Sequence, residues 1–330
     1  LAKKRVMSYG DYPDDTYTGT SNGDYHKKCI VRSNGVVENF ALGVDKATFI
    51  PLEGKDFMDP QYLSEEVDHS WFTYPDGTKT LHPIEGVTDP KFTGPKSGTK
   101  EKWEFLDEDK KYSWIKSPTF KGKTAEVGPL AKYIVVYTKV KQGIIKDPTW
   151  AESMIVRQID TVSQVLGVPA HVWMTTMVGR TACRGLDAQV AANISQYFFN
   201  KLVSNIKNGD TTVADMTKFE PNTWDKDAKG VGLVDAPRGG LGHWIHIKDG
   251  RSANYQCIVP STWNACPKTA ANEHGAYEDS MIDTHVKIAD KPLEILKVIH
   301  SFDPCLACAT HLYNKKGEKI VSVNTDALCK

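Results

Sequence analysis

Ser301-Phe302-Asp303-Pro304-Cys305-Leu306-Ala307-Cys308-Ala309-Thr310-His311 is the densest run of candidate ligands in the chain. Two thiols three residues apart are flanked by a carboxylate and an imidazole. Asp303 followed by Pro304 predicts a helix start, with Asp as N-cap and Pro in the first helical position. Cys305 and Cys308 would then project from one side of the first turn. Free N–H groups at a helix start favour thiolate over thiol, the form that binds metal. His311 lies near the same edge. Metal binding is the first reading, and three others stay open beside it. Asp303 could be a cap and nothing more. The two cysteines could be a redox dithiol, although that chemistry usually follows a strand and Pro292 to His300 predicts a helix. They could also be half of a structural zinc site, completed by His311 or by Cys257 and Cys266.

Upstream of this cluster, Trp244-Ile245-His246-Ile247 alternates, Lys248-Asp249-Gly250 turns, and Tyr255-Gln256-Cys257-Ile258-Val259-Pro260 returns. This predicts a β-hairpin, entered by a glycine-rich bend from Gly230 to Gly242 that holds Arg238. Glu273 to Thr284 predicts a further helix, Asn208 to Lys229 a polar linker, and Asn314 to Lys330 a detachable tail. In the middle, Asp147-Pro148 repeats the cap-plus-proline signature and opens a helix through Val165, stopped before Gly167-Val168-Pro169. A longer helix is predicted from about His171 to Asn208. In it Leu186, Val190, Ile194, Phe198, Leu202 and Ile206 recur at a spacing of four. Each step of four advances about 400°, a drift of roughly 40° around a helix of about 3.6 residues per turn. The ladder therefore sweeps more than half the circumference, and Phe199 and Val203 widen it, so the helix is expected to be enclosed by protein on most sides.

Residues 1–125 are rich in Gly, Pro, Asp and Lys with short β-type runs. Cys29-Ile30-Val31 and Gly35-Val36-Val37 predict a hairpin, and Trp71, Tyr74, Trp103, Tyr112 and Trp114 are expected to pin loops to a body behind them. The fold class expected is mainly α with peripheral β (α+β). It comprises long buried central helices, a loop-rich N-terminal excursion, and a β-hairpin before a C-terminal metal-site helix.

Lys plus Arg equals Asp plus Glu at 41 each, so nothing points to a nucleic-acid or anionic-membrane partner. No apolar run approaches the roughly 18 residues of a membrane span, and the start does not read as a signal peptide. Seven cysteines, an odd number, do not make a disulfide scaffold. The chain opens at Leu1 in mid-pattern, which suggests an interior piece of a longer protein.

Four motifs carry a resemblance. The segment from Asp303 to His311 resembles the C-terminal signature of nickel–iron hydrogenase large subunits of the membrane-bound uptake type. Ala236-Pro237-Arg238-Gly239-Gly240-Leu241-Gly242-His243-Trp244 resembles the family's arginine segment. Tyr255-Gln256-Cys257-Ile258-Val259-Pro260-Ser261-Thr262-Trp263-Asn264 is similar to the strand beneath its metals, and Gly179-Arg180-Thr181-Ala182-Cys183-Arg184 to its long-helix motif.

The resemblance implies that Cys305 is a terminal nickel ligand and Cys308 a thiolate bridging nickel and iron, soft donors suited to both metals. It implies carbon monoxide and cyanide on the iron, with Ser261 bonded to a cyanide and Pro237 and Leu241 walling the pocket of these small ligands. Read alone, those three are a strand-end hydroxyl and ordinary core residues. Arg238 would project over the open position, with Asp303 as the carboxylate to pair with it; its plain reading is a structural ion pair, for which Asp235 is a candidate. His311 and the backbone carbonyl of Cys257 would hold magnesium, leaving the Cys257 thiol in the core.

The implied whole is a reversible hydrogen-oxidising enzyme that passes electrons to an iron–sulfur small subunit. A membrane cytochrome b and a periplasmic-side, membrane-associated location would go with it. Residues 1–330 would be one fragment of a larger subunit: 1–125 peripheral, 126–311 helical core and half of the metal site. Residues 312–330 would be a peptide removed after His311 by a maturation endopeptidase. The family's other Cys-x-x-Cys pair has no counterpart here, so the chain carries half a site and would be inactive by itself. The competing class is a non-catalytic zinc or thiol module built on Cys305, Cys308 and His311.

Overall fold

The computed structural model describes residues 58–93, 109–305, 309–313 and 319–324, apart from single positions 62, 121, 142, 144, 175, 215, 218 and 283. The predicted hairpin around Cys29–Val37 and the position of Trp103 lie outside those residues.

The N-terminal part is built from short strands. β1 (Leu63–Glu66) lies between β3 (Thr80–Leu81) and β5 (Ser117–Phe120), and β2 (Phe72–Thr73) pairs with β4 (Asp89–Pro90), all antiparallel. Aromatic residues fasten these loops as expected. Trp71 is buried against the edges of Phe92 and Trp114. Tyr74 donates to the Glu65 carbonyl at 3.0 Å, and Tyr112 donates to Glu278 at 2.7 Å.

The helical body begins at α1 (Pro129–Lys141) and continues through α2 (Trp150–Leu166), α3 (Ala170–Met174) and α4 (Met177–Lys207). α2 starts two residues later than the Asp147-Pro148 signature predicts. Thr149 is the cap, because its hydroxyl accepts from the Glu152 amide while the Glu152 carboxylate accepts from the Thr149 amide, a reciprocal capping box. Gly167, at φ 64°, closes α2 in the left-handed conformation. The long helix expected from His171 is two helices, interrupted where Thr176 caps α4 through the Gly179 amide.

Enclosure of α4 is partial, contrary to expectation. Arg180, Cys183 and Val190 are buried against α1, α2 and α7 (Leu293–Ser301), whereas Tyr197, Phe198, Phe199, Leu202 and Ile206 are each more than half exposed. The ladder drifts around the axis, and the described elements cover only the stripe that faces them.

The predicted hairpin is present within a larger sheet. β6 (Asp227–Ala236), β7 (Gly239–Lys248) and β8 (Arg251–Ile258) run antiparallel in that order. Asp249 and Gly250, both at positive φ, make the β7–β8 turn. The stretch read as linker and glycine-rich bend supplies the third strand, its glycines paired across to Ile245 and His243. Trp244, Trp263 and Ile258 seal this sheet onto Val127 and Phe120. Short helices α5 (Pro260–Asn264) and α6 (Ala276–Met281) follow, the latter shorter than predicted.

The largest correction concerns the cysteine segment. No helix starts at Asp303. Instead α7 ends there: Phe302 caps it, the Asp303 amide donates to the His300 carbonyl at 3.0 Å, and Asp303 sits at φ 56°. Left-handed residue then proline is a helix stop. The chain leaves α7 as irregular backbone through Cys305, and β9 (Ala309–Tyr313) pairs with β10 (Lys319–Asn324), His311 opposite Ser322. The architecture is therefore a mixed α+β arrangement, with less helical dominance than expected.

Candidate metal centre

Three elements bring the predicted site residues together. The two-residue connection Pro237-Arg238 between β6 and β7 presents the guanidinium. α5 presents Ser261, and the irregular segment after α7 presents Asp303 and Cys305.

Arg238 and Asp303 form the pair anticipated from sequence. Arg238 Nε donates to the Asp303 carbonyl at 2.8 Å and lies 3.1 Å from Oδ2, and one terminal nitrogen reaches Oδ1 at 3.5 Å. Both side chains are about 40% exposed, which leaves the guanidinium edge open to a neighbouring ligand. The Ser261 hydroxyl, buried, accepts from the Cys305 amide at 3.0 Å. That bond fixes the backbone that carries the thiol and leaves the thiol itself exposed. Leu241 is half-buried and Pro237 exposed. Cys257 is exposed on β8, opposite His243, so its thiol is not in the core. The strand alternation places it on the face left open by the described elements. Cys308 and the side chain of His311 lie outside the described residues.

Why Arg238 stands where it does follows from close backbone packing. Gly239 adopts φ 125°, and a Cβ there would meet the Gly128 amide nitrogen at 2.5 Å and Val127 Cγ2 at 2.7 Å. The β6–β7 turn thus lies directly on Val127-Gly128. That segment is held from the other side by Asn264, whose side chain accepts from the Val127 amide and donates to its carbonyl, both at 2.9 Å. The described backbone groups are paired as a strand neighbour would pair them.

One residue before this contact, Glu126 meets Arg180 of α4. Nε–Oε1 is 2.7 Å and Nη2–Oε2 3.1 Å, with both side chains nearly fully buried. The Arg180 guanidinium also lies 4.0 Å above the Phe302 ring. One turn along α4, Arg184 donates to the Ser301 carbonyl at 2.8 Å and approaches Asp303 Oδ2 at 3.9 Å. Burial pulls the Arg184 guanidinium below its usual range, and Asp303 pulls it partly back. Burial, followed by Asp187, pushes the Cys183 thiol far above the usual thiol range, which leaves it an inert core group.

Glu126 and the roles of Arg180 and Arg184 were missed from sequence. A lone acid inside Ala125-Glu126-Val127 was the available signal, because a buried carboxylate requires a cation. Two arginines four apart on one helix were its natural partners.

Among the described residues no group of three or more His, Cys, Asp or Glu side chains is close enough to hold a metal. Cys305 is the one described thiol of the segment, and Asp303 is engaged by Arg238. The described donors therefore fit a soft metal as part of a ligand set. The zinc alternative that joined Cys257 and Cys266 to this segment finds no support, since Cys266 is buried and Cys257 exposed on the sheet.

Residues 2–311 match the sequence profile of nickel-dependent hydrogenases. The chain is 43% identical over 325 residues to an uptake hydrogenase large subunit of Rhizobium leguminosarum bv. viciae, and 40% identical over 324 residues to the hydrogenase-1 large chain of Escherichia coli strain K12. In each case the match covers 98% of this chain and 50% of the relative, so the chain spans about half the length of these relatives. A reduced, active form of the Ni-Fe-Se hydrogenase from Desulfomicrobium baculatum superposes with a TM-score of 0.54 at 25% identity, covering 75% of this chain and 44% of that one. With a family match along almost its whole length and a spatial frame shared with a solved hydrogenase, the chain belongs to the nickel-dependent hydrogenases.

Proposed function

We propose that the chain is the C-terminal portion of an uptake hydrogenase large subunit, and that the turn joining Asp303 to Cys305 is its share of the active site. In this reading Cys305 and Cys308 hold nickel and iron as thiolates, the iron carrying carbon monoxide and cyanide. His311 and the Cys257 carbonyl hold magnesium. When bound, the nickel–iron centre supplies the redox chemistry that separates hydrogen into protons and electrons. The observation that carries the reading is the Arg238–Asp303 pair beside Cys305, drawn together from positions 65 apart in the chain.

Each residue then has a task that its own chemistry supports. Arg238 brings a planar fork of donors and keeps one edge turned over the site. Asp303 accepts from it and holds that edge in place. Ser261 fixes the Cys305 amide, so the thiolate is positioned before any ligand arrives. Pro237 and Leu241 furnish apolar wall. Electrons would leave to an iron–sulfur small subunit and a membrane cytochrome b, with the assembly at the periplasmic side of the membrane. No described helix is long and apolar enough to cross one itself. The family match ends at His311, which supports reading residues 312–330 as a peptide removed by a maturation endopeptidase. The half-length coverage and the uncovered aromatic face of α4 both support further protein packing here.

The test uses the full-length subunit in its complex. Arg238→Lys should retain nickel and iron while hydrogen oxidation falls by roughly two orders of magnitude, because a point charge cannot replace a planar fork. Unchanged turnover removes Arg238 from the mechanism. Cys308→Ser should abolish metal loading while Cys183→Ser is mild; equal loss from both refutes the assignment.

A further inference from the structure

We propose that Arg184 is the positioning residue of this site: it holds the Ser301–Asp303 turn, and through Asp303 it sets the orientation of Arg238. The inference rests on the reading above for the role of Arg238 and extends it to a residue outside that site.

Asp303 is a non-glycine residue held at φ 56°, a conformation that persists only when surrounding contacts enforce it. Those contacts are two guanidiniums from different elements. Arg238 stands on a turn and is about 40% exposed. Arg184 stands on a helix. Its terminal nitrogen holds the Ser301 carbonyl at 2.8 Å, and its Nε is buried, makes no hydrogen bond to the described residues and lies 3.9 Å from Asp303 Oδ2. A desolvated donor without a partner draws strongly on the nearest carboxylate. Oδ2 is thereby shared between Arg184 behind and Arg238 in front, at 3.9 and 3.1 Å.

The phase of α4 that makes this possible is itself fixed. Arg180, one turn earlier, is locked by Glu126 and stacked on Phe302. Arg180, Arg184, Ser301, Phe302 and Glu126 line one small cavity behind the turn. The protein alone therefore arranges the approach to Cys305, from Glu126 through Arg180 and Arg184 to Asp303. Arg184 acts through Asp303 and touches no reacting atom.

A double-mutant cycle on the full-length, metal-loaded complex tests this. Arg184→Gln should lower kcat for hydrogen oxidation about tenfold with KM and nickel content unchanged, and Arg184→Lys should recover part of the loss. In an Asp303→Ala background, Arg184→Gln should cost less than about twofold, since the carboxylate it positions is gone. An equal loss in both backgrounds, or loss of nickel, overturns the proposal. Amide hydrogen exchange across Phe302, Asp303 and Cys305 gives a readout independent of turnover. Exchange should quicken about tenfold in Arg184→Gln and recover in Arg184→Lys, and unchanged exchange overturns the proposal. If Asp303→Ala and Arg238→Lys leave turnover intact, the site reading fails, and the exchange result still decides whether Arg184 holds the turn.

Discussion

Removing Arg180 should be among the most damaging single changes in the helical body. Arg180 and Glu126 are 4% and 2% exposed and meet through two hydrogen bonds. Arg180→Met would keep the volume and strand the Glu126 carboxylate beside Val127, Leu130 and Phe302 without the cation it is hydrogen-bonded to. Breaking one side of a buried pair costs about 3–5 kcal/mol, because the remaining charge is uncompensated. Loss of the cation above Phe302 adds up to about 1 kcal/mol. Unfolding entropy of about 2.1 cal/mol/K per residue, over this chain, gives roughly 0.7 kcal/mol per kelvin, so Tm should fall by about 4–9 °C. The assay is thermal unfolding followed by circular dichroism, run beside Glu126→Met/Arg180→Met. That double variant should recover most of the loss, since a buried pair replaced by apolar side chains is often neutral, and a Met sulfur still packs on an aromatic ring. A single-variant loss under about 1 kcal/mol, or a double variant no better than the single, would mean that the Glu126–Arg180 pair does not hold the helical body together.

Other expectations are smaller or more local. Thr149→Ala removes the capping box of α2 and should cost about 1 kcal/mol in urea unfolding, with no change in hydrogen oxidation by the full-length complex. Gly239→Ala forces a Cβ to within 2.5 Å of the Gly128 nitrogen at φ 125°; about 2–3 kcal/mol of destabilisation is expected, along with displacement of Arg238, so turnover should fall more than for Thr149→Ala. Glu65 is buried, and burial raises its carboxyl above the ordinary glutamate value despite the Lys116 ammonium at 2.5 Å. A raised carboxyl favours folding below the unfolded value, and that stability is lost as pH rises through the folded value. The stability of Glu65→Gln relative to the parent should therefore improve as pH rises from 4 to 7 in urea titrations. A fixed difference across that range would contradict the sign.

Local signals identified much of this fold. Strict alternation around Lys248-Asp249-Gly250 fixed the β7–β8 hairpin, because the turn chemistry and the flanking pattern agree. The pairing of Arg238 with Asp303 was legible through the family resemblance; read from the residues alone, Arg238 has Asp235 as its candidate partner. β6 was missed because Gly230 and Gly232 carry no strand propensity; its register is set by β7, a non-local partner. Asp-Pro misled at both positions. At Asp147 the adjacent Thr149-Glu152 box won, and at Asp303 the same dipeptide closes a helix, since proline suits the residue after a left-handed stop as well as the first turn. Apolar spacing along α4 identified the helix correctly, yet it says nothing about which chain segment covers each face. The lone acid inside Ala125-Glu126-Val127 signals a buried pair, but not which cation completes it, because Arg180 lies 54 positions away.

On the proposed reading, the Cys305 turn, steered by Arg238 and Asp303, carries sulfur to a nickel–iron centre. Nickel X-ray absorption with elemental analysis on the full-length subunit, parent beside Cys305→Ser, tests it most directly. Nickel and iron are expected in the parent, with sulfur in the nickel shell and loss of nickel–sulfur scattering in the variant. Stoichiometric zinc without nickel, or a nickel shell unchanged by Cys305→Ser, would contradict it.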